Sequence, residues 1–202
     1  MRLVAVQSNS DVERPLSSAP TGRFWPNPTP AKLLEVTASP RSYIAPMLHL
    51  HHCINARSFR PLWMLEELQL PYTLHMLPFP PRALARSFLE LNPLGTVPLL
   101  VQGKAPNEVR MTESAAMCQY LAATHPDAGL DVAPTHPAYG AYLNWLHMSD
   151  ATLTFPQTLV LRYGRFEPTE RQQPQVVQDY TRWFLARLRA VEAAVAHNEY
   201  LC

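Results

Sequence analysis

The stretch LHLHHCINARSFRPLWMLEEL, residues 48–68, decides the fold. Its first five residues alternate apolar and polar side chains, which is the period of a β-strand whose two faces differ. The rest places apolar side chains at helical spacing, with Phe59, Leu62 and Trp63 on one face. Pro61 falls near the first turn, where a missing N–H group costs little. We therefore predict a strand followed directly by an amphipathic helix.

Strand and helix patterns continue to alternate up to residue 126. Thr112 is the expected N-cap of the last helix in this stretch, and Pro126 ends it. The order βαβαββα is a split βαβ unit followed by a hairpin and a helix, which is a thioredoxin-like arrangement. We predict an α/β domain over residues 47–126. Its further strands are expected at 72–79, 97–101 and 108–111, and its helices at 56–70, 80–93 and 112–126.

Beyond residue 126 the patterns become purely helical. Turn-forming residues at 127–137 indicate a linker, and two long amphipathic helices are predicted at 138–163 and 173–197. Amphipathic helices of this length are typical of a bundle. The predicted fold class is therefore an α/β domain followed by an all-α domain over residues 138–202.

Charge and cysteine content exclude several classes of function. Lys and Arg number 17 against 16 Asp and Glu, so no global field would draw the chain onto nucleic acid or an anionic membrane. The three cysteines form no CxxC pair, which argues against a disulfide framework and a zinc site and favours a cytoplasmic protein. No apolar run is long enough for a membrane span. We interpret His51 and His52 as structural or solvent-facing rather than as metal ligands.

Residues 1–46 show neither the strand period nor the helix period. Seven prolines precede Met47, so this Pro/Ser-rich segment is expected to be an irregular extension. A basic organellar transit peptide is the functional alternative, although no convincing basic amphipathic helix is present. A further expectation is that translation naturally begins at Met47, directly before the first strand.

Four motifs in register give the chain a family resemblance. HHCINARSFRPLWMLEEL (51–68) is similar to the HHxNxSRSxRxLWLLEEL pattern of bacterial and fungal glutathione transferases. LPY (70–72), LNPLGTVPLL (91–100) and TESAAMCQYLAATHP (112–126) follow in the family's order. The chain therefore resembles a glutathione S-transferase from about Met47 to Ala196. The resemblance also implies that the helical domain is truncated at its carboxyl end.

The resemblance implies a glutathione site with two parts. Thr96, Val97 and Pro98 correspond to the family's cis-proline turn, whose backbone pairs with the cysteinyl part of glutathione. Glu113 and Ser114 would bind the γ-glutamyl amine and carboxylate, helped by the free N–H groups of a helix start. On the residues alone, a trans proline at an edge strand and an ordinary N-cap are the alternatives.

The resemblance implies that the residue that activates the thiol lies four or five positions before an arginine of the first helix, which is Arg60 here. Those positions hold Ala56 and Asn55, where the family has a serine or cysteine. The Asn55 amide can donate to sulfur and Arg57 can add positive charge, which together would lower a thiol pKa from roughly 8.5. Asn55 and Arg57 are therefore the predicted catalytic residues, and Ser58 is a weaker candidate.

Cys53 offers a competing chemistry, because thioredoxin-like folds often keep a redox cysteine after the first strand. It has no CxxC partner at Ala56, so we interpret it as a partly buried, inert thiol. Glutaredoxin-like thiol-disulfide activity through Cys53 stays open as an alternative. A non-catalytic module that binds glutathione or a protein is another, because Ala56 cannot donate a hydrogen bond.

The leading functional prediction is conjugation of the glutathione thiolate to hydrophobic electrophiles, as in detoxification. By analogy with the family, Tyr142, Trp145 and Ser149 of the first long helix would line the electrophile pocket, although an aromatic stripe at helical spacing is also typical of a core. Glutathione is the expected co-substrate, and no metal is implied. The resemblance further implies a homodimer, with neither nucleic acid nor membrane as a partner.

Overall fold

The computed structural model describes residues 47–202, which lie within one compact unit. The expectations for residues 1–46 fall outside the described residues. A four-stranded mixed sheet forms the first part of the unit, in the order β2-β1-β3-β4. β1 and β2 are parallel, whereas β1–β3 and β3–β4 are antiparallel, as the predicted topology requires. The strands are β1 Leu48–His52, β2 Tyr72–Met76, β3 Leu99–Gln102 and β4 Val109–Met111.

Helices cover both faces of this sheet. The helices of this part are α1 Phe59–Glu67, α2 Pro81–Leu84, α3 Phe88–Leu91 and α4 Ser114–Thr124. α1 and α4 pack on one face over a buried cluster of Leu48, Leu50, Leu65, Leu100, Met117 and Leu121. On the opposite face, Cys53, Phe88, Val97 and Leu99 form a second cluster. The alternation of β1 follows from this arrangement, because each face of the strand meets different neighbours.

The second part of the unit is entirely helical. It contains α5 Tyr139–His147, α6 Phe155–Leu161 and α7 Pro174–Val195. π-helical segments follow α5 at Met148–Thr154 and α6 at Arg162–Phe166, so the predicted helix 138–163 is one run with wider turns. The α/β part followed by a helical part confirms the predicted fold class. The linker boundary at 127–137 stays a prediction.

Three predicted helix boundaries are wrong. The helix expected at 80–93 is two short helices, because the backbone at Ala85 leaves the helical region (φ −137°, ψ 68°) before the chain turns to bury Phe88. α1 begins at Phe59 instead of Ala56, since a turn at Cys53–Ala56 comes first. α4 has Glu113 rather than Thr112 as its N-cap. In each case tertiary packing or turn chemistry overrides the local pattern.

Candidate functional site

The turn after β1 holds the two predicted catalytic residues at the surface. Asn55 lies in the left-handed region (φ 59°), which asparagine tolerates better than most residues. Asn55 and Arg57 are both exposed, and neither side chain bonds to another residue of the described segment 47–202. The Ala56 N–H donates to the Cys53 carbonyl at 3.3 Å and closes the turn. The Asn55 amide is therefore free to meet a ligand.

Two N–H groups at the amino terminus of α1 are already paired. The N–H groups of Phe59 and Arg60 donate to the carbonyls of Ala56 and Arg57, each at 3.1 Å. Pro61 has no N–H at all. The Asn55 amide and the Arg57 charge are among the groups that remain available to a sulfur atom.

Ser58, the weaker catalytic candidate, points into the protein. Its side chain is fully buried, and its hydroxyl lies 2.8 Å from Nδ1 of His52. It also accepts the Cys53 N–H at 3.3 Å. Ser58 thus holds the end of β1 against the start of α1, and it presents no donor to the surface.

Cys53 is fully buried beside Ser58. Its Sγ donates to the Pro78 carbonyl at 3.6 Å, and burial raises the pKa of the thiol. Because the thiolate is the nucleophile, a protonated thiol without access to solvent is a poor redox group. The geometry agrees with the interpretation of Cys53 as an inert thiol.

The Val97–Pro98 peptide bond is cis, as the resemblance implies. The carbonyl of Thr96 is held by Nδ2 of the buried Asn92 at 2.8 Å, which fixes the chain before the turn. No residue within 47–202 makes a hydrogen bond to the N–H or carbonyl of Val97. This backbone unit can therefore pair with an extended ligand in the manner of a strand.

The start of α4 presents further unpaired donors. The first bond inside the helix runs from the Met117 N–H to the Glu113 carbonyl at 2.9 Å. The N–H groups of Ser114, Ala115 and Ala116 therefore have no partner within the helix. Glu113 is exposed, whereas Ser114 is buried and its hydroxyl accepts a hydrogen bond from Arg60 Nη1 at 3.1 Å. Both predicted groups lie at this helix start, and the Ser114 hydroxyl contacts Arg60.

Arg60 connects this helix start to the helical part, and sequence reasoning missed its role. Its guanidinium forms an ion pair with Asp150, and Nη2 donates to Thr154 Oγ1 at 2.7 Å. The Arg60 and Asp150 side chains are only about a quarter exposed, at 25% and 24%. In the sequence argument, Arg60 only marked the position from which Ala56 and Asn55 were found. No local pattern could pair it with residues 90 or more positions away.

The three predicted pocket residues are buried or half-buried in the helical part. Tyr142 is buried, and burial together with nearby Asp131 raises the pKa of its phenol. Ser149 donates its hydroxyl to the Leu146 carbonyl at 2.6 Å, so the group serves the helix itself. Trp145 is half-buried. Among residues 47–202, none of the three bonds to the turn that holds Asn55.

Phe79 and Phe166 form a pair of exposed apolar rings. The rings of Phe79 and Phe166 lie 5.4 Å apart and are 46% and 58% exposed. Phe79 directly follows Pro78, whose carbonyl contacts Cys53 two residues before Asn55. A separate depression of about 410 Å³ lies along α5 and the segment after it. It is lined by Leu143, Asn144, His147, Met148, Ala151 and Thr152.

A cluster of histidines lies on the face of β1 and β2 that Phe88 covers. His49 Nδ1 lies 3.0 Å from His75 Nε2, and His51 stacks on His75 with ring centroids 4.5 Å apart. Burial, with the nearby His75 and His49, lowers the pKa of His51 to about 4. His51 and His52 are both buried, so a solvent-facing role is wrong. Within 47–202 no three His, Cys, Asp or Glu side chains could hold a metal ion.

Comparison with known families shows which proteins this part of the chain is similar to. Residues 56–124 match the model of the glutathione S-transferase N-terminal domain. This stretch of the chain is similar to a glutathione S-transferase N-terminal domain. The matched residues begin inside the β1–α1 turn, one position after Asn55, and end with α4. They include Val97 and Ser114. No helix among residues 47–202 is long and apolar enough to cross a membrane.

Individual relatives agree with this domain. Over 107 residues the chain is 32% identical to glutathione S-transferase 3 of Schizosaccharomyces pombe, an alignment that covers 53% of this chain and 43% of that protein. The chain thus spans less than half the length of this curated relative.

Two solved structures share the fold beyond the domain. The glutathione transferase URE2P6 of Phanerochaete chrysosporium, crystallised with oxidized glutathione, is similar with a TM-score of 0.66 and 25% identity over 78% of this chain and 70% of that one. A glutathione transferase of Methylococcus capsulatus gives a TM-score of 0.61 and 25% identity over 76% and 72%.

Proposed function

We propose that the protein binds glutathione and conjugates its thiolate to hydrophobic electrophiles. The observation that carries this proposal is the unpaired backbone of Val97, which stands at the end of the sheet in the glutathione S-transferase N-terminal domain. A peptide-like ligand can satisfy both groups with two hydrogen bonds in strand fashion. The oxidized glutathione bound in the similar structure of URE2P6 supports the choice of ligand.

The remaining parts of glutathione fit the neighbouring groups. The cysteinyl part would lie along Thr96, Val97 and Pro98. The γ-glutamyl carboxylate would accept from the Ser114 hydroxyl and the free N–H groups at the start of α4, where the helix dipole also favours an anion. Glu113 would bind the γ-glutamyl amine. The charge pattern of the site therefore complements the two opposite charges at that end of glutathione.

The reaction would depend on holding the bound sulfur as a thiolate. In the proposal, the Asn55 amide donates to the sulfur and Arg57 supplies positive charge, so both favour the charged form and lower the thiol pKa. The thiol proton is lost to solvent. The sulfur lone pair then forms a C–S bond to the electrophilic carbon, and the leaving group departs with its bonding electrons.

In the proposal, Phe79 and Phe166 contact the electrophile, because their exposed rings pack on each other and Phe79 follows Pro78, whose carbonyl contacts Cys53. Tyr142, Trp145 and Ser149 stay predictions for this role. A cytoplasmic location, a homodimer and a part in detoxification also stay predictions.

A second function, a binding module without turnover, is favoured by Ala56. Alanine stands where the family pattern has an activating serine, and the buried Ser58 cannot substitute for it. Under this alternative, glutathione binds but its thiol is not activated. The Cys53 alternative is less favoured, since its thiol is buried and its pKa is raised.

The two functions separate in one experiment. Glutathione affinity is measured by calorimetry, and conjugation of 1-chloro-2,4-dinitrobenzene is followed between pH 6 and 9. Asn55→Gly removes the amide while glycine keeps the left-handed backbone without strain. We expect a rise of about one unit in the pKa of the rate profile, which is about a tenfold lower rate near neutral pH. By linkage, we expect a loss of glutathione affinity only above the pKa of the bound thiol, and unchanged affinity below it. Asn144→Ala, an exposed asparagine on α5, is the matched control.

Other outcomes would favour one of the alternative functions or contradict both. Binding without conjugation in the unaltered chain would favour the binding module. No binding of glutathione would contradict both functions. Conjugation that Asn55→Gly leaves untouched but Cys53→Ser abolishes would favour thiol chemistry at Cys53.

A further inference from the structure

The side chain of Asn92 lies beneath the Val97 turn and joins it to the end of α3. Asn92 is 2% exposed and directly follows Leu91, the last residue of that helix. We propose that Asn92 is a positioning residue that aims the Val97 N–H group at a carbonyl acceptor of the ligand. The inference rests on the proposed glutathione site and adds to it the residue that sets the direction of one ligand hydrogen bond.

The orientation of the Asn92 amide is fixed by its partners. The Leu94 N–H donates to Oδ1 of Asn92 at 3.1 Å, and Nδ2 of Asn92 donates to the Thr96 carbonyl at 2.8 Å. A backbone N–H can only donate and a backbone carbonyl can only accept, so exchanging the oxygen and nitrogen of the amide would lose both bonds. The NH₂ group of Asn92 therefore faces Thr96.

The backbone of Asn92 is held as well. Its N–H donates to the Phe88 carbonyl at 2.9 Å, and its carbonyl accepts from the Gly95 N–H at 2.8 Å. Phe88 is 3% exposed and belongs to the same buried cluster as Val97. The amide that contacts Thr96 thus stands on a support that the protein itself provides.

The bond from Asn92 decides where the next N–H group points. Among residues 47–202 every cis peptide bond precedes a proline, so the unit that joins Thr96 to Val97 is trans and planar. In such a unit the C=O and N–H bonds point in opposite directions. Because Asn92 holds the Thr96 carbonyl, the Val97 N–H points away from Asn92, where no residue of 47–202 accepts it. A donor whose direction is already set loses little freedom when it meets a ligand carbonyl.

Residue-resolved hydrogen exchange in the isotope-labelled full chain tests this assignment. Without ligand, we expect the Asn92 side-chain amide protons to exchange slowly and the Val97 N–H to exchange faster than the N–H groups of β3. Saturating glutathione should slow exchange at Val97 by about tenfold or more, because its N–H then has an acceptor. Fast exchange of the Asn92 side chain in the unaltered chain would contradict the assignment without any substitution.

Two substitutions test the direction of the Val97 N–H. Asn92→Asp keeps an acceptor for Leu94 but replaces the donor by an oxygen that repels the Thr96 carbonyl. We expect glutathione to protect Val97 no longer and its affinity to fall about tenfold, as removal of one hydrogen bond does. Asn92→Ala removes both side-chain bonds without the repulsion, so we expect a smaller loss of the same kind.

The controls lie in the same chain. The N–H groups of Ala115 and Ala116, at the start of α4, should keep the protection that the γ-glutamyl carboxylate gives them in both variants. Asn107→Asp makes the same chemical change at an exposed residue and should alter neither the protection of Val97 nor the affinity.

Several outcomes would overturn the assignment in distinguishable ways. Equal losses of protection at Val97 and Ala115 would show that Asn92 supports the whole site and not one bond. Unchanged protection of Val97 in both variants would show that Thr96 keeps its orientation without Asn92. If neither variant folds, the exchange rates of Asn92 and Val97 in the unaltered chain decide. If glutathione protected neither Val97 nor the start of α4 in the unaltered chain, the proposed function would fail, and this inference with it.

Discussion

The sheet-containing part, residues 47–126, and the helical part, residues 139–195, bury apolar side chains to very different degrees. Among the described residues, every buried apolar side chain except Tyr142 and Pro156 belongs to the sheet-containing part. The 22 residues of α7 include no buried side chain. Large apolar groups of the helical part, among them Phe155, Phe166, Trp183 and Leu185, are 41% to 58% exposed.

The difference follows from how many neighbours each element has. β1 lies between two strands and beneath helices on both faces, so nearly all of its side chains are covered. α7 packs mainly on α6, and an amphipathic helix with one partner covers only part of its apolar stripe. Stability should therefore concentrate in the sheet-containing part, which also holds the unpaired Val97 backbone and the α4 start. The helical part reaches the site through Asp150 and Thr154.

The largest expected effect tests this distribution directly. Leu50 is fully buried in the middle of β1, so Leu50→Ala should lower the free energy of unfolding by about 3 kcal/mol through lost burial and a new cavity. Leu185→Ala makes the same chemical change on α7, where the side chain is 56% exposed, and should cost less than about 1 kcal/mol. Urea unfolding followed by circular dichroism measures both. Similar losses in the two variants would mean that the helical part is buried to the same degree as the sheet.

Much of the sheet-containing part could be predicted from sequence, because its signals are local. The alternating pattern predicted β1 with its observed bounds, and the family motif that contains Pro98 predicted the cis peptide bond. The predicted helix at 112–126 leads to Ser114 with an error of two residues. Each of these depends on residues within a few positions of one another, where turn chemistry and periodicity act.

The site contacts that sequence could not give are between distant residues. The pairing of Arg60 with Asp150 joins positions 90 apart, and no periodicity links a helix of one part to a turn of another. The φ of 59° at Asn55 delays α1 to Phe59, although the apolar pattern alone allows an earlier start. The burial of His51 also escaped prediction, because its polar side chain faces Phe88 and not water.

The second effect in size is a pH dependence that should belong to β1. The pKa of His51 is lowered to about 4 from 6.5, so the folded state resists a proton that the unfolded chain accepts. Stability should therefore fall as pH falls from 6.5 to 4, by about 2 kcal/mol, and level off below that range. His51→Phe, which can still stack on His75 and Phe88, should flatten most of this dependence. Chemical unfolding at pH values between 4 and 8 measures it.

The shape of that profile also separates His51 from its neighbour. Burial lowers the pKa of His52 as well, while its hydrogen bond with Ser58 opposes the shift, so a smaller dependence of the same sign should persist in His51→Phe. A profile that His51→Phe leaves as steep as before would assign the pH dependence to other groups.

The smallest effect compares one hydroxyl in each part. Ser58 is fully buried, and its hydroxyl contacts both His52 Nδ1 and the Cys53 N–H, so Ser58→Ala should cost about 1.5 kcal/mol by leaving buried polar groups unpaired. Among residues 47–202, the Ser149 hydroxyl bonds only to the Leu146 carbonyl of its own helix turn, and Ser149→Ala should change stability by less than about 0.5 kcal/mol. Because the two substitutions remove the same atom, unfolding midpoints in urea compare the surroundings alone. Equal costs would show that the helical part encloses Ser149 more tightly than its half-buried position indicates. A larger cost at Ser58 would show that the end of β1 rigidly supports the turn that holds Asn55.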